Sequence, residues 1–301
     1  MQDFDINVSD TALILEGGGF RASYTAGAVV TLLEQGINFG SVYGISAGSS
    51  HAVDYISRDI RRTKEAFVDL VKDPNFGGVS HFLRHHGYFN APYLYEGIAQ
   101  QQKGTDGSMS FDFETFMANP AKLHIEALDR KTGETVAWTK DDMPTEHAMM
   151  CRVRACSSMP IAMPPTTVDG RTYVDGGMGS SWGIPLHAAM QDGFKKFFLV
   201  LTQEKDYRKE PPSKKAQVLM KTFYWRYPLV AKRILERWQY YNELRDEIEE
   251  LRKNGQAYVF YPKKMTVSNH TRDFDALQES YDRGYAQAQR ELSAWKEFLG
   301  L

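Results

Sequence analysis

The sequence predicts an α/β fold built on a parallel sheet, followed by a mostly helical C-terminal extension. Three observations carry this. Short apolar runs of strand length alternate with helical periods through the first two-thirds of the chain. The first two such runs end in glycine-rich turns that open directly into helices. Beyond Thr202 the composition changes to long charged stretches of helical period.

Taken in order, residues 11–16 (TALILE) are a strand whose unbroken apolar character suits a parallel sheet covered on both faces. Residues 21–35 are helical, with Gly36 as the stop. Residues 41–45 form a second strand and 47–58 a helix. Residues 73–107, rich in Gly, His, Tyr and Asn, read as an irregular lid or substrate-facing wall. Residues 122–128 and 134–139 are strands joined by a turn at Lys131-Thr132-Gly133. Thr145 caps a helix over 145–157. Asp169-Gly170 between 166–168 and 171–174 is a two-residue hairpin signal. A short helix at 184–191 and a strand at 195–201 complete the motif-bearing part, residues 11–201. In the extension, 202–301, a linker at 205–213 (KDYRKEPPS) leads to a helical period over 214–253, a last strand at 258–261 and a last helix at 273–299.

Composition narrows the function classes. At 301 residues the chain is at the upper edge of what one core serves. With 42% hydrophobic and 25% charged residues it is too apolar for disorder and too charged for a membrane bundle. The net charge of −2 gives no pull toward nucleic acid. Cys151 and Cys156 are the two cysteines, too few for a disulfide framework or a cysteine-rich metal site. The first ten residues, MQDFDINVSD, are acidic and lack the apolar core of a secretory signal, and no apolar run approaches 18 residues. The expected location is cytoplasmic, with peripheral membrane contact left open because it needs no spanning helix.

The chemistry concentrates in three places. Gly44-Ile45-Ser46-Ala47-Gly48 follows a strand and precedes a helix, the setting of a nucleophile elbow. The small neighbours permit a sharp turn that presents the Ser46 hydroxyl at the sheet's carboxyl edge, near a helix N-terminus. Gly17-Gly18-Gly19-Phe20-Arg21 also joins strand to helix, and its bare backbone amides suit an oxyanion hole. Gly17, Gly19 and Ala22 also fit a dinucleotide-binding spacing. That reading wants an acidic residue at the end of the next strand, where Ser46 stands instead. Arg21 is either an anchor for the loop or a solvated first-turn residue.

A serine needs a base. Late histidines are His187, inside a helical stretch, and His270, in a polar loop; either completes a Ser–Asp–His arrangement. Asp175-Gly176-Gly177, where a strand breaks on two glycines, offers a carboxylate at a strand end beside bare backbone. Shielded from water, such a carboxylate itself accepts the serine proton.

These three motifs, in this order and with the serine early, resemble the patatin-like phospholipase family over about residues 11 to 201. The resemblance implies a three-layer α/β/α fold and metal-free, cofactor-free hydrolysis of lipid acyl esters by a Ser–Asp dyad. Ser46 then matches the nucleophile, Asp175 the proton acceptor, and Gly17, Gly18 and Gly19 the oxyanion loop, supported by Arg21, Gly44, Gly48, Gly176 and Gly177. Ser157-Ser158-Met159-Pro160 also looks family-like, whereas Ala22 stands where the family often has glycine. A non-catalytic lipid-binding or scaffolding protein on the same fold is the alternative of a different class.

Two stretches stand outside the motifs. His81, His85 and His86 are spaced for a metal, but without a carboxylate pair or cysteine nearby they read as solvated. Residues 214–227 mix lysines with aromatics; they either pack on the core or rest on an anionic bilayer. Leu235, Trp238, Tyr241, Leu244, Ile248 and Leu251 form one apolar stripe, a packing face.

Overall fold

The computed structural model describes residues 4–77, 89–98 and 109–301. The histidines of HFLRHH lie outside the described residues. The centre is a parallel sheet. β1 (Thr11–Leu15) lies between β2 (Ser41–Gly44) and β7 (Lys196–Val200). β3 (Lys122–Asp129) continues it beyond β2, and β8 (Ala257–Phe260) beyond β7. The rest is antiparallel: β4 (Thr135–Trp138) and β6 (Arg171–Asp175) pair with β3, and β5 (Thr166–Val168) pairs with β6. The sheet is therefore mixed where the alternation predicts parallel. The β3–β4 and β5–β6 connections are too short for a crossover helix, so those pairs can only be hairpins. Asp169 and Gly170, both at positive φ (49° and 76°), form the tight turn their sequence predicts.

Alternate residues of β1 enter opposite cores. Leu13 and Leu15 join a cluster with residues of α1 (Ala22–Glu34), α2 (Ala47–Ile56) and β3. Behind these two helices lies α3 (Ile60–Glu65). Phe116 of α4 (Phe113–Ala118), Met150 and Val153 of α5 (Glu146–Cys156) belong to the same cluster. Thr145 caps α5 by accepting from Ala148 N–H. Ala12 and Ile14 face the other way, onto Leu186 of α6 (Leu186–Gln191) and onto a long C-terminal helix.

The helical period over 214–253 is broken in two, α7 (Lys214–Phe223) and α8 (Pro228–Lys253). Pro228 explains the break: it has no N–H to continue α7 but suits the first turn of a new helix. The apolar stripe of α8 packs on the second face through Tyr241, Leu244 and Ile248. The fold is thus a three-layer α/β/α sandwich with a helical C-terminus. That C-terminus is built into it: β8 extends the sheet, and Trp295 and Leu299 of α9 (Phe274–Leu299) share a core with Leu13. α1 and α9 cross at Gly27 and Gly284, where a Cβ on either would collide with the other helix's backbone.

Candidate active site

Ser46 stands in the turn from β2 to α2 with φ 55° and ψ −125°, a strained conformation for a residue with a side chain. The turn is held by close backbone approaches. A Cβ at Gly44 would collide with the Gly48 carbonyl, and one at Gly48 with the Leu15 carbonyl of the neighbouring strand. Both predicted glycines are therefore demanded by space. The hydroxyl of Ser46 donates to Asp175 Oδ2 at 2.7 Å.

The sheet brings these two residues together. β2 and β6 occupy the same edge of β3, because β4 holds the other edge. β2 ends where Gly44 pairs with Ile125, and β6 ends where Asp175 pairs with Ala127. Two strands of opposite direction thus end nearly head to head, and their next residues meet. Asp175 Oδ1 accepts from Gly177 N–H at 2.7 Å, and Asp175 N–H donates to Ser158 O at 2.9 Å, so Ser157–Pro160 lies alongside. A Cβ at Gly176 would collide with the Glu126 carbonyl. Burial raises the Asp175 carboxyl above its ordinary range, opposed by the Ser46 and Gly177 hydrogen bonds and by the charge of Arg237.

The glycine loop lies beside them. Gly19 has φ 54° and sits against Asn269, so a side chain there is excluded twice. Gly17 N–H already donates to Gly183 O at 3.1 Å, and Thr202 Oγ donates to Gly17 O. Of the three predicted oxyanion donors, Gly17 is the one whose amide is committed elsewhere. All three line the cavity with Ser46 and Asp175.

A family model described as patatin-like phospholipase matches residues 13–190, well over half of the chain. The chain belongs to the patatin-like phospholipase family. A second model, a domain of unknown function (DUF6363), matches residues 227–300. The uncharacterized protein YjjU of Escherichia coli (strain K12) is 25% identical over 199 residues, covering 64% of this chain and 51% of YjjU. The chain thus spans about half the length of that curated relative. Among solved structures, VipD from Legionella pneumophila aligns with a TM-score of 0.49 and 14% identity over 95% of this chain and 67% of VipD. Membership supports the lipid acyl hydrolase class in general.

In this patatin-like site Ser46 is shared by two cavities of different character. One, about 90 Å³, is lined by apolar groups such as Phe67, Leu70, Met150, Val153 and Met163. The other, about 260 Å³, holds Asp175, the glycine loop, Arg21, Arg237 and His270. Each exceeds the roughly 10–15 Å³ one water needs. Arg21, read from sequence as a loop anchor or a solvated residue, lines the second cavity with its Nε buried and without a hydrogen-bond partner. Arg237 of α8 also lines this cavity, and no sequence motif marks it.

The histidines fall apart. His187 pairs with Glu247 at 2.7 Å on the surface. His270 reaches the cavity rim, but its Nε2 contacts Asn269 Nδ2 at 3.1 Å. His51, on the helix after Ser46, is buried, pushed down to about 4 by burial, and ties Thr25 and Ala22 O to α2. Cys156 is buried with its thiol pushed up to about 12, again by burial; it donates to Glu126 O.

Proposed function

We propose that the chain is a serine hydrolase of lipid acyl esters that acts through Ser46 and Asp175. The observation that carries this is the direct 2.7 Å hydrogen bond from Ser46 Oγ to a buried carboxylate. Ser46 Oγ attacks the ester carbonyl carbon as its proton passes to Asp175 Oδ2. The amides of Gly18 and Gly19 receive the developing oxyanion. The tetrahedral intermediate collapses, the C–O bond breaks, and Asp175 returns the proton to the departing alcohol. A water then attacks the acyl-enzyme, with Asp175 as base, releasing the acid and restoring Ser46. The acyl chain occupies the apolar cavity and the alcohol the polar one. In this reading residues 11–201 are the catalytic unit, and 202–301 close its alcohol side. A fluorophosphonate forms an adduct mapping to the Ser46 peptide; an unlabelled protein with no turnover of esters of any chain length is the result expected of a non-catalytic scaffold.

The pH dependence follows from the raised carboxyl. Asp175 must be ionised to accept a proton, so kcat/KM falls as pH drops through its folded value. The acid limb therefore lies above the ordinary aspartate value of 3.8, and a pH profile on a soluble ester locates it. An acid limb at or below 3.8 contradicts the assignment of Asp175 as base.

We further propose that α7 rests on a lipid surface. Val218, Leu219, Phe223 and Trp225 are 65%, 58%, 55% and 70% exposed, while Tyr224 of the same stretch is buried against Leu128, Val174 and Val230, so the stretch packs on the core with one face only. The same stretch carries Lys214, Lys215, Lys221 and Arg226 and no acidic residue. Its Met220 lines the polar cavity, so the exposed face adjoins the mouth of the site. No described helix is long and apolar enough to cross a membrane. The Phe223→Asp/Trp225→Asp variant is expected to lower sedimentation with anionic vesicles by about tenfold or more, given about 1.5–3 kcal/mol per buried apolar side chain. Hydrolysis of vesicle-borne ester falls with it, far more than hydrolysis of a soluble short-chain ester. Equal vesicle binding by both proteins sinks this docking surface.

A further inference from the structure

The alcohol side of the site holds two guanidinium groups that form no ion pair among the described residues. Arg21 comes from the turn into α1 and Arg237 from the middle of α8, and both line the cavity shared by Ser46 and Asp175. The Nε of each is buried without a hydrogen-bond partner. The nearby carboxylates are already committed. Glu16, whose charge Arg21 feels, accepts from Thr202 N–H at 2.6 Å and from Tyr241 Oη at 2.7 Å. Asp175, which feels Arg237, accepts from Ser46 and Gly177.

Space is reserved for Arg237. A Cβ at Gly183 would lie 2.8 Å from its Nη2, and one at Gly177 3.1 Å. Positive charge is dense there. Burial, then Arg237 itself, holds the neighbouring Lys209 down to about 7, and Arg21 is lowered by burial and by Arg237. The walls add apolar Met178, Met220 and Ile234. Unpaired charge in such a setting is costly unless an anion enters. The acyl side differs: its one lining arginine among the described residues, Arg62, is neutralised by Asp54 at 2.9 Å.

We propose that Arg237 and Arg21 together bind a phosphate-like anionic group on the leaving alcohol, so that Arg237 sets the headgroup specificity of the enzyme. The proposal rests on the esterase reading of Ser46. Two guanidiniums offer forked N–H donors, which suit the several oxygens of one tetrahedral anion. Arg237 lies within the segment matched by the domain of unknown function and outside the patatin-like match. The C-terminal segment thereby reads the alcohol while the patatin-like part performs the chemistry.

The test compares two soluble esters with the same short acyl chain, a 1-acylglycerol 3-phosphate and the uncharged 1-acylglycerol. Wild type is expected to favour the phosphate-bearing ester by at least about tenfold in kcat/KM, the scale of one charged hydrogen-bonded contact. Arg237→Met loses at least about tenfold more on that ester than on the uncharged one, chiefly through KM, and Arg237→Lys recovers part of the loss. Arg233→Met, whose side chain lies over Trp182 instead, keeps the wild-type ratio. Inorganic phosphate competes with the uncharged ester in wild type and more weakly in Arg237→Met. Equal wild-type rates on the two esters, or parallel losses in Arg237→Met, overturn the proposal. Phosphate inhibition without ester discrimination also overturns it, by giving the site to a free anion. If neither ester turns over and Ser46 takes no fluorophosphonate, the esterase reading fails and the proposal with it.

Discussion

Ser46→Ala is expected to lose about 10⁴- to 10⁶-fold in kcat, the scale of loss when a member of such a catalytic unit is removed and binding and oxyanion groups remain. The substitution deletes one oxygen from a 7% exposed residue whose turn is held by backbone approaches at Gly44 and Gly48. The fold is kept, and the thermal midpoint shifts little. Asp175→Asn is expected to lose about 10³- to 10⁴-fold, by analogy with other carboxylate-to-amide changes beside a nucleophile. The amide can still accept from Gly177 N–H, so geometry survives, but it cannot take the proton from Ser46. The double variant falls no further than Ser46→Ala alone, because both residues serve one step. His270→Gln is the decisive control, since His270 is the one described late histidine at the cavity rim. It is expected to stay within about tenfold of wild type, the scale of a changed contact rather than a lost base. A His270 loss as deep as that of Ser46→Ala would replace the dyad with a Ser–Asp–His arrangement.

How far the site was legible follows from the range of the forces involved. The elbow around Ser46 and the D-G turn at Asp169 are set by residues within a few positions, so their glycines betray them in sequence. Thr145 and Gly36 act as a local cap and stop for the same reason; the reading of 214–253 as one helical period passes over Pro228, an equally local break. The meeting of Ser46 with Asp175 is different. It depends on β2 and β6 ending two positions apart on one edge of β3, a register that no local pattern encodes. The motifs marked both residues without placing them. That the Gly17 amide is taken by Gly183 is likewise invisible locally, because Gly183 lies far along the chain. Arg237 left no trace at all: on a helix read for its apolar stripe it is one more charged residue, and only the cavity separates it from Arg233. The exposure of Phe223 and Trp225 was open between two readings, since an amphipathic period fits a protein core and a lipid surface equally well.

Glu16→Leu is expected to destabilise the protein by about 3–5 kcal/mol, the cost of breaking a buried ion network by removing one partner. Glu16 ends the β1 run just before the glycine loop and is 3% exposed. One oxygen accepts from Thr202 N–H and the other from Tyr241 Oη. Tyr241 Oη in turn accepts from Arg245 Nη1 at 3.2 Å, and Arg245 Nη2 donates to the carbonyls of Glu204 and Lys205. Arg245 has no exposed surface. Leucine at position 16 leaves that guanidinium without its compensating charge and the Thr202 amide without an acceptor. Urea unfolding at constant m measures the loss, and Glu16→Gln, which keeps an acceptor, is expected to lose less, about 1–2 kcal/mol. The Glu16→Leu/Arg245→Met variant removes both charges and recovers part of the loss; simple addition of the two single losses would deny the coupling. Activity declines in Glu16→Leu even where it remains folded, because Thr202 also holds the Gly17 carbonyl and so positions the loop opposite Ser46. The network therefore joins the last third of the chain to the glycine loop, and it does so from the same helix that carries Arg237 into the cavity beside Ser46.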